Sequence, residues 1–171
     1  RPRWRFPRAA VEPEVIGRVV AETGCGFLLD LAHARITAAS LGLDPRRYVA
    51  ALPVHRLCEL HVTGLGHDGR RERDHMPLRE PDWDLLTWTL DQVEAGVFAR
   101  PWVLACEYGG AGPAFDWRTD PAVMADQFPR LAALVQSMGA RTGGRNRGTG
   151  PEHSHGTGWD GNGDAGRVPI P

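Results

Sequence analysis

Six residues of this chain could do chemistry together: Asp30, His33, His61, Asp74, His75 and Glu107. Three carboxylates and three imidazoles form a mixed nitrogen and oxygen set that suits iron, zinc or manganese, and the lack of a matching cysteine argues against a thiolate site. Asp30 ends the apolar run "GFLLDL", and His33 stands three residues later. Burying either one unpaired is costly, so each needs a partner. A strand-to-helix turn between them lets both side chains bend toward one point, where they can share an ion. Asp74 and His75 are neighbours in "RERDHMP", a loop containing Pro77 in which the alternation of a strand does not force them apart. Glu107 lies so close to an apolar strand that it needs a cation or a donor.

With a metal ion bound, Asp30 and Glu107 are the candidate catalytic carboxylates, able to balance charge or move a proton, while the metal lowers the pKa of bound water or polarises a substrate oxygen. Each residue also has a plainer reading. Asp30 is a favoured N-cap, His33 a helix-start residue, and Asp74 a solvated loop partner of Arg73. Arg35, one turn into the helix, either holds an anionic substrate group or pairs with an acid. His67 in "GLGHDG" is the other candidate substrate contact, with simple exposure as its alternative. His55 precedes its strand at the amino end and reads as surface.

These residues are positioned by alternating elements. "EPEVIGRVVAET" puts Val15, Ile16, Val19 and Val20 on one helical stripe, with Pro13 near its start and Gly24 past its end. "GFLLDL" is too short an apolar run for a helix and reads as a buried strand. Helices follow over His33–Leu41, stopped by Gly42, and over "DPRRYVAAL", capped by Asp44. A second strand runs from Leu57 to Thr63. After the Gly- and Arg-rich loop, a long helix beginning near Glu80 puts Trp83, Leu86, Leu90, Val93 and Val97 on one face. A third strand spans Trp102–Tyr108, and a last helix from Asp120 to Met138 is bent or divided by Pro129.

Asp30, His61 and Glu107 all fall at or beside the carboxyl ends of the three strands, the edge where parallel β/α folds build their sites. Strand period puts Glu107 on the face of Ala105 and Val103, and His61 on the face of Glu59 and Leu57. The expected fold is α/β, about half of a closed (β/α)8 barrel, occupying residues 1–138. The glycine-dense segment 139–171 cannot bury enough surface to order itself and is expected to be disordered. A short glycine cluster, "YGGAG", fits the usual barrel anion site.

The 171 residues include 20 Lys plus Arg against 21 Asp plus Glu, a balance that does not suggest nucleic acid or an anionic membrane as partner. Neither a spanning run nor a signal peptide is evident. Cys25, Cys58 and Cys106 are an odd count without zinc spacing, read as small buried hydrophobes of a reducing, cytosolic protein.

"TGCGFLLDLAHARITAASLGLDPRRYVAALPVHRLCELHVTG", continued through "DHMPLREPDWDLLTW", resembles the C-terminal half of the domain-of-unknown-function 692 proteins over roughly Arg3–Val135. "LLDLAHAR" and "ELHVTG" carry it most specifically. That family consists of multinuclear non-haem iron-dependent oxidases with a xylose-isomerase-like barrel, and it belongs to a wider group with endonuclease IV and sugar isomerases. The resemblance implies that Asp30 and His33 form the group's Asp-x-x-His pair, that His61 is the histidine of its Glu-x-His strand, and that Glu107 is its last-strand glutamate. It implies two or three iron ions, with zinc or manganese as alternatives. It also implies a peptide substrate modified at cysteine using dioxygen, and a partner protein that binds the leader peptide. Two histidines and a glutamate from earlier strands would complete the site, so the chain reads as a truncated form, inactive alone, of a larger oxidoreductase. A sugar isomerase or endonuclease IV-like hydrolase on the same scaffold is the first alternative, and a non-catalytic remnant the second.

Overall fold

A computed structural model describes residues 8–67, 72–113 and 115–143, with side chains described through Met138. Ten helices and strands follow a short helical turn, in the order α1 (Pro13–Thr23), β1 (Phe27–Asp30), α2 (Leu31–Leu41), α3 (Pro45–Ala51), β2 (Leu57–Val62), β3 (Gly64–His67), β4 (Glu72–Met76), α4 (Glu80–Glu94), β5 (Val103–Cys106) and α5 (Pro121–Gly143). Strands β1, β2 and β5 form one parallel sheet with β2 in the centre, and β3 and β4 form a separate antiparallel hairpin. Parallel strands linked through helices are the arrangement of part of a β/α barrel.

The register places the chemistry. Asp30 lies opposite His61, and His61 opposite Ala105, with Glu107 two residues farther along. Paired residues in a sheet share a face, so period 2 puts Asp30, His61 and Glu107 on one side. Leu28, Glu59 and Val103 lie on that side one step down, and Leu28 and Val103 are 48% and 49% exposed. The side that would line a barrel is therefore open among the described residues. The opposite side is closed: Leu29, Leu60 and Val62 pack with Leu31, Val49, Trp83, Leu86 and Leu90 from the helices.

Several boundaries differ from the sequence expectation. Helix α2 begins at Leu31 rather than His33 because Asp30 caps it directly, Oδ1 accepting from the backbone N–H of Ala32 (2.8 Å) and of His33 (3.0 Å). Trp83, Leu86, Leu90 and Val93 are buried as the periodicity requires, but Val97 lies past the end of α4 and is 59% exposed. Phe98 fills the core there instead, edge-on to Trp88 at 5.6 Å. Val19 is also exposed. Helix α5 continues through Pro129 undivided and ends at Gly143, beyond the expected boundary at 138. The rest of the segment expected to be disordered, 144–171, lies outside the described residues.

Instead of an irregular loop, the chain from 64 to 76 contains the β3–β4 hairpin. Gly64 is required there, since a Cβ would sit 1.9 Å from the Pro77 carbonyl oxygen. Among the described residues no helix is long and apolar enough to cross a membrane.

Candidate metal centre

Asp30, His61 and Glu107 converge above the carboxyl edge of the sheet, each offering one ligand atom, and these three atoms all lie within 4.8 Å of one another. His61 sits between two glutamates: Nδ1 is 2.8 Å from Glu107 Oε1 and Nε2 is 2.8 Å from Glu59 Oε1. Burial pulls the His61 pKa down, but the Glu59 hydrogen bond and the charges of Glu107, Glu59 and Asp30 together raise it above the ordinary imidazole value.

A second group stands beside the first. His33 Nε2 is 3.1 Å from Asp74 Oδ2, and its Nδ1 is 3.6 Å from Asp30 Oδ2. Oδ1 of Asp30 is taken by the helix cap, which leaves Oδ2 toward His33. His75 Nε2 lies 3.9 Å from the same Asp74 oxygen. Burial raises the Asp74 pKa, yet the His33 hydrogen bond and the charges of His75 and His33 leave it lowered.

Asp74 and His75 come together through an irregular register. Gly64 pairs with Met76 and Gly66 with Arg73, so two steps on β3 oppose three on β4. Such a bulge re-aims side chains. His75 takes φ 58°, the one positive φ outside glycine among the described residues.

The substrate-binding candidates are placed differently. The Arg35 guanidinium bonds the carboxylate of Asp82, whose side chain is 3% exposed, so the ion pair with an acid is formed. Arg35 and His67 line one cavity of ≈ 250 Å³ with Glu72, Arg79 and Asp82. His55 is exposed, as expected. Two amides of "YGGAG" are engaged within the fold: Gly109 N–H donates to the His75 carbonyl (2.9 Å) and Gly110 N–H to Thr119 Oγ1 (2.9 Å). Cys25, Cys58 and Cys106 are all free thiols, and none is fully buried as expected: Cys25 is exposed, and Cys58 and Cys106 are half-buried. Burial pushes the Cys106 thiol pKa up.

Two neighbours of the site were not among the candidate residues. Glu59 shares a face with His61 by strand period, a usable signal; Arg118, from the turn after β5, reaches Asp74 with no local signal at all.

The family model for the RiPP precursor modification enzyme MbnB/TglH/ChrH matches residues 5–101. The chain belongs to this family. The match takes in Asp30, His33, His61, Asp74 and His75, while Glu107 lies beyond it and is brought to the others by the β2–β5 pairing. Relatives include a UPF0276 protein of Anaeromyxobacter sp. strain Fw109-5, 37% identical over 139 residues that cover 79% of this chain and 38% of the relative. A UPF0276 protein of Bordetella pertussis is 34% identical over 90 residues, 46% of this chain and 30% of the relative. One of Pseudomonas aeruginosa strain PAO1 is 31% identical over 85 residues, 48% and 30% respectively. The chain thus spans 30–38% of the length of these relatives. Family membership agrees with the parallel β/α architecture.

Proposed function

We propose that this chain supplies one rim of a multinuclear non-haem iron centre in a barrel enzyme that oxidises cysteine residues of ribosomally made peptides. The observation that carries the reading is the convergence of Asp30, His61 and Glu107 to within 4.8 Å at the carboxyl edge of the parallel sheet. The donor set fits such an ion: carboxylate oxygen and imidazole nitrogen bind iron, zinc or manganese at ~2.0–2.2 Å, which places neighbouring donors roughly 3–4 Å apart.

Asp30, His61 and Glu107 would hold one ion, and His33, Asp74 and His75 a second, with Asp30 Oδ2 between the groups. Iron bound there would supply oxidation with dioxygen as co-reactant. Asp30 and Glu107 balance positive charge, and Glu59 orients the ring of His61 from its far side. Glu107, with a third of its side chain exposed, accepts a proton from the substrate thiol. The cavity containing Arg35 and His67 takes a polar part of the peptide, and a separate leader-binding protein delivers it.

The complete protein, loaded anaerobically with ferrous ion, should retain two or three ions per chain and change the mass of a cysteine-bearing precursor peptide when oxygen is admitted. Asp30→Asn and His61→Ala should lower both. Absence of iron, zinc and manganese from carefully prepared protein, or an unchanged peptide, overturns the reading.

A further inference from the structure

We infer that Arg118 is a positioning residue that fixes Asp74, and through it His33, by bridging the turn after β5 to the β3–β4 hairpin. Arg118 holds Asp74 at two places: Nη1 donates to its backbone carbonyl at 3.3 Å and lies 3.8 Å from its Oδ1. Asp74 Oδ2 remains for His33 Nε2 at 3.1 Å. The carboxylate is thus held from one side by a guanidinium and from the other by an imidazole, the arrangement by which an outer partner orients a ligand. The inference rests on the metal reading only for its functional consequence; the Arg118–Asp74–His33 chain stands on geometry.

The surroundings hold Arg118 in turn. Its side chain is 13% exposed and its guanidinium lies 4.8 Å from the centre of the Phe115 ring. Gly110 permits this approach, because a Cβ there would come within 2.6 Å of Phe115 Cβ and 3.3 Å of Arg118 Nε. Thr119 ties the turn back on itself, its hydroxyl accepting from Gly110 N–H at 2.9 Å and donating to the Gly110 carbonyl at 2.8 Å. The Gly109 N–H to His75 carbonyl bond then joins turn and hairpin next to the residues they align. Arg118 Nε is buried with no hydrogen-bond partner among the described residues. A donor left in that state marks a side chain set by its other contacts rather than by its own best solvation. The residue lies outside the stretch matched by the family model, so this support belongs to the far end of the chain.

Two readouts on the complete protein separate positioning from bulk stability. In metal-free protein, at a pH where the ring is neutral, the His33 ring-nitrogen resonances report whether Asp74 holds one tautomer. Cobalt(II) titration with its absorption spectrum reports the assembled site. Arg118→Ala should move the His33 resonances toward those of Asp74→Asn and weaken cobalt binding roughly 10–100-fold. Arg118→Lys, which keeps charge but loses the planar fork, should fall between wild type and Ala in both. If Arg118→Ala proves unstable, Arg118→Gln replaces it in both measurements. Unchanged His33 resonances in the Ala or Gln variant overturn the inference. A wild type that binds no cobalt while Arg118→Ala still moves His33 overturns the metal reading and leaves the positioning role standing.

Discussion

Asp74 and His75 are consecutive in β4, yet Asp74 Oδ2 and His75 Nε2 lie 3.9 Å apart on the same side of the hairpin. In a regular strand they would face opposite ways. The register irregularity opposite Gly64–Gly66 and the left-handed backbone of His75 remove the alternation. Backbone strain of this kind is kept where the side chain it presents matters more than local stability.

Position 75 therefore separates conformation from chemistry. His75→Gly should be more stable than His75→Ala by about 1 kcal/mol, because glycine adopts φ 58° without a Cβ penalty. Both should weaken metal binding equally. Chemical denaturation of the two variants checks the first statement; equal stability would mean that the strain is absent in solution.

Asp30 divides its two oxygens between a helix cap and the site, so two substitutions resolve its roles. Asp30→Asn keeps a capping oxygen and should cost a few tenths of a kcal/mol, whereas Asp30→Ala should lose about 1 kcal/mol. Metal affinity should fall in both, since neither retains the carboxylate. A metal affinity preserved in Asp30→Asn would confine this residue to capping.

Proton competition should be visible at His61. Its folded pKa is raised above 6.5, so in metal-free protein its contribution to stability is full below that value and is lost as pH rises through the raised one. Asp74 behaves oppositely: with its pKa lowered from 3.8, its contribution is present above that value and is lost as pH falls through the lowered one. Metal needs a neutral imidazole, so affinity should climb through the raised His61 value with release of a proton. Calorimetry in buffers of different ionisation enthalpy measures that proton, and an affinity that does not change as pH rises above 6.5 would contradict it.

Arg35 and Asp82 form a largely buried pair, and Asp82 also accepts from the Arg79 N–H at 2.8 Å at the start of α4. Arg35→Ala leaves the Asp82 carboxylate nearly sealed from water and should cost about 3 kcal/mol. Replacing both by Leu should recover much of that loss. A stability near wild type for Arg35→Ala, with impaired peptide binding, would return Arg35 to the substrate.

The alternation of strands and helices, the buried faces of β2 and α4, and the placing of Asp30, His61 and Glu107 at strand ends were legible in the sequence. They follow from periods of 2 and 3.6, which are local. Glu59 was within reach of the same rule. Val97 was misplaced because periodicity does not say where a helix stops, and Phe98 took the core position after the chain turned at Gly96.

Only the tertiary structure decided which groups meet. The pairing of Asp30 with His61 and of His61 with Ala105 is a register between segments some 30 to 45 positions apart, and a slip of one would turn a whole face away. The partnership of Arg118 with Asp74, 44 residues apart, and of Arg35 with Asp82, 47 apart, depends likewise on packing between elements that share no local pattern. Residue type and strand position set out the candidate side chains; register brought Asp30, His61 and Glu107 together, and the irregular β4 brought Asp74 and His75 to one side.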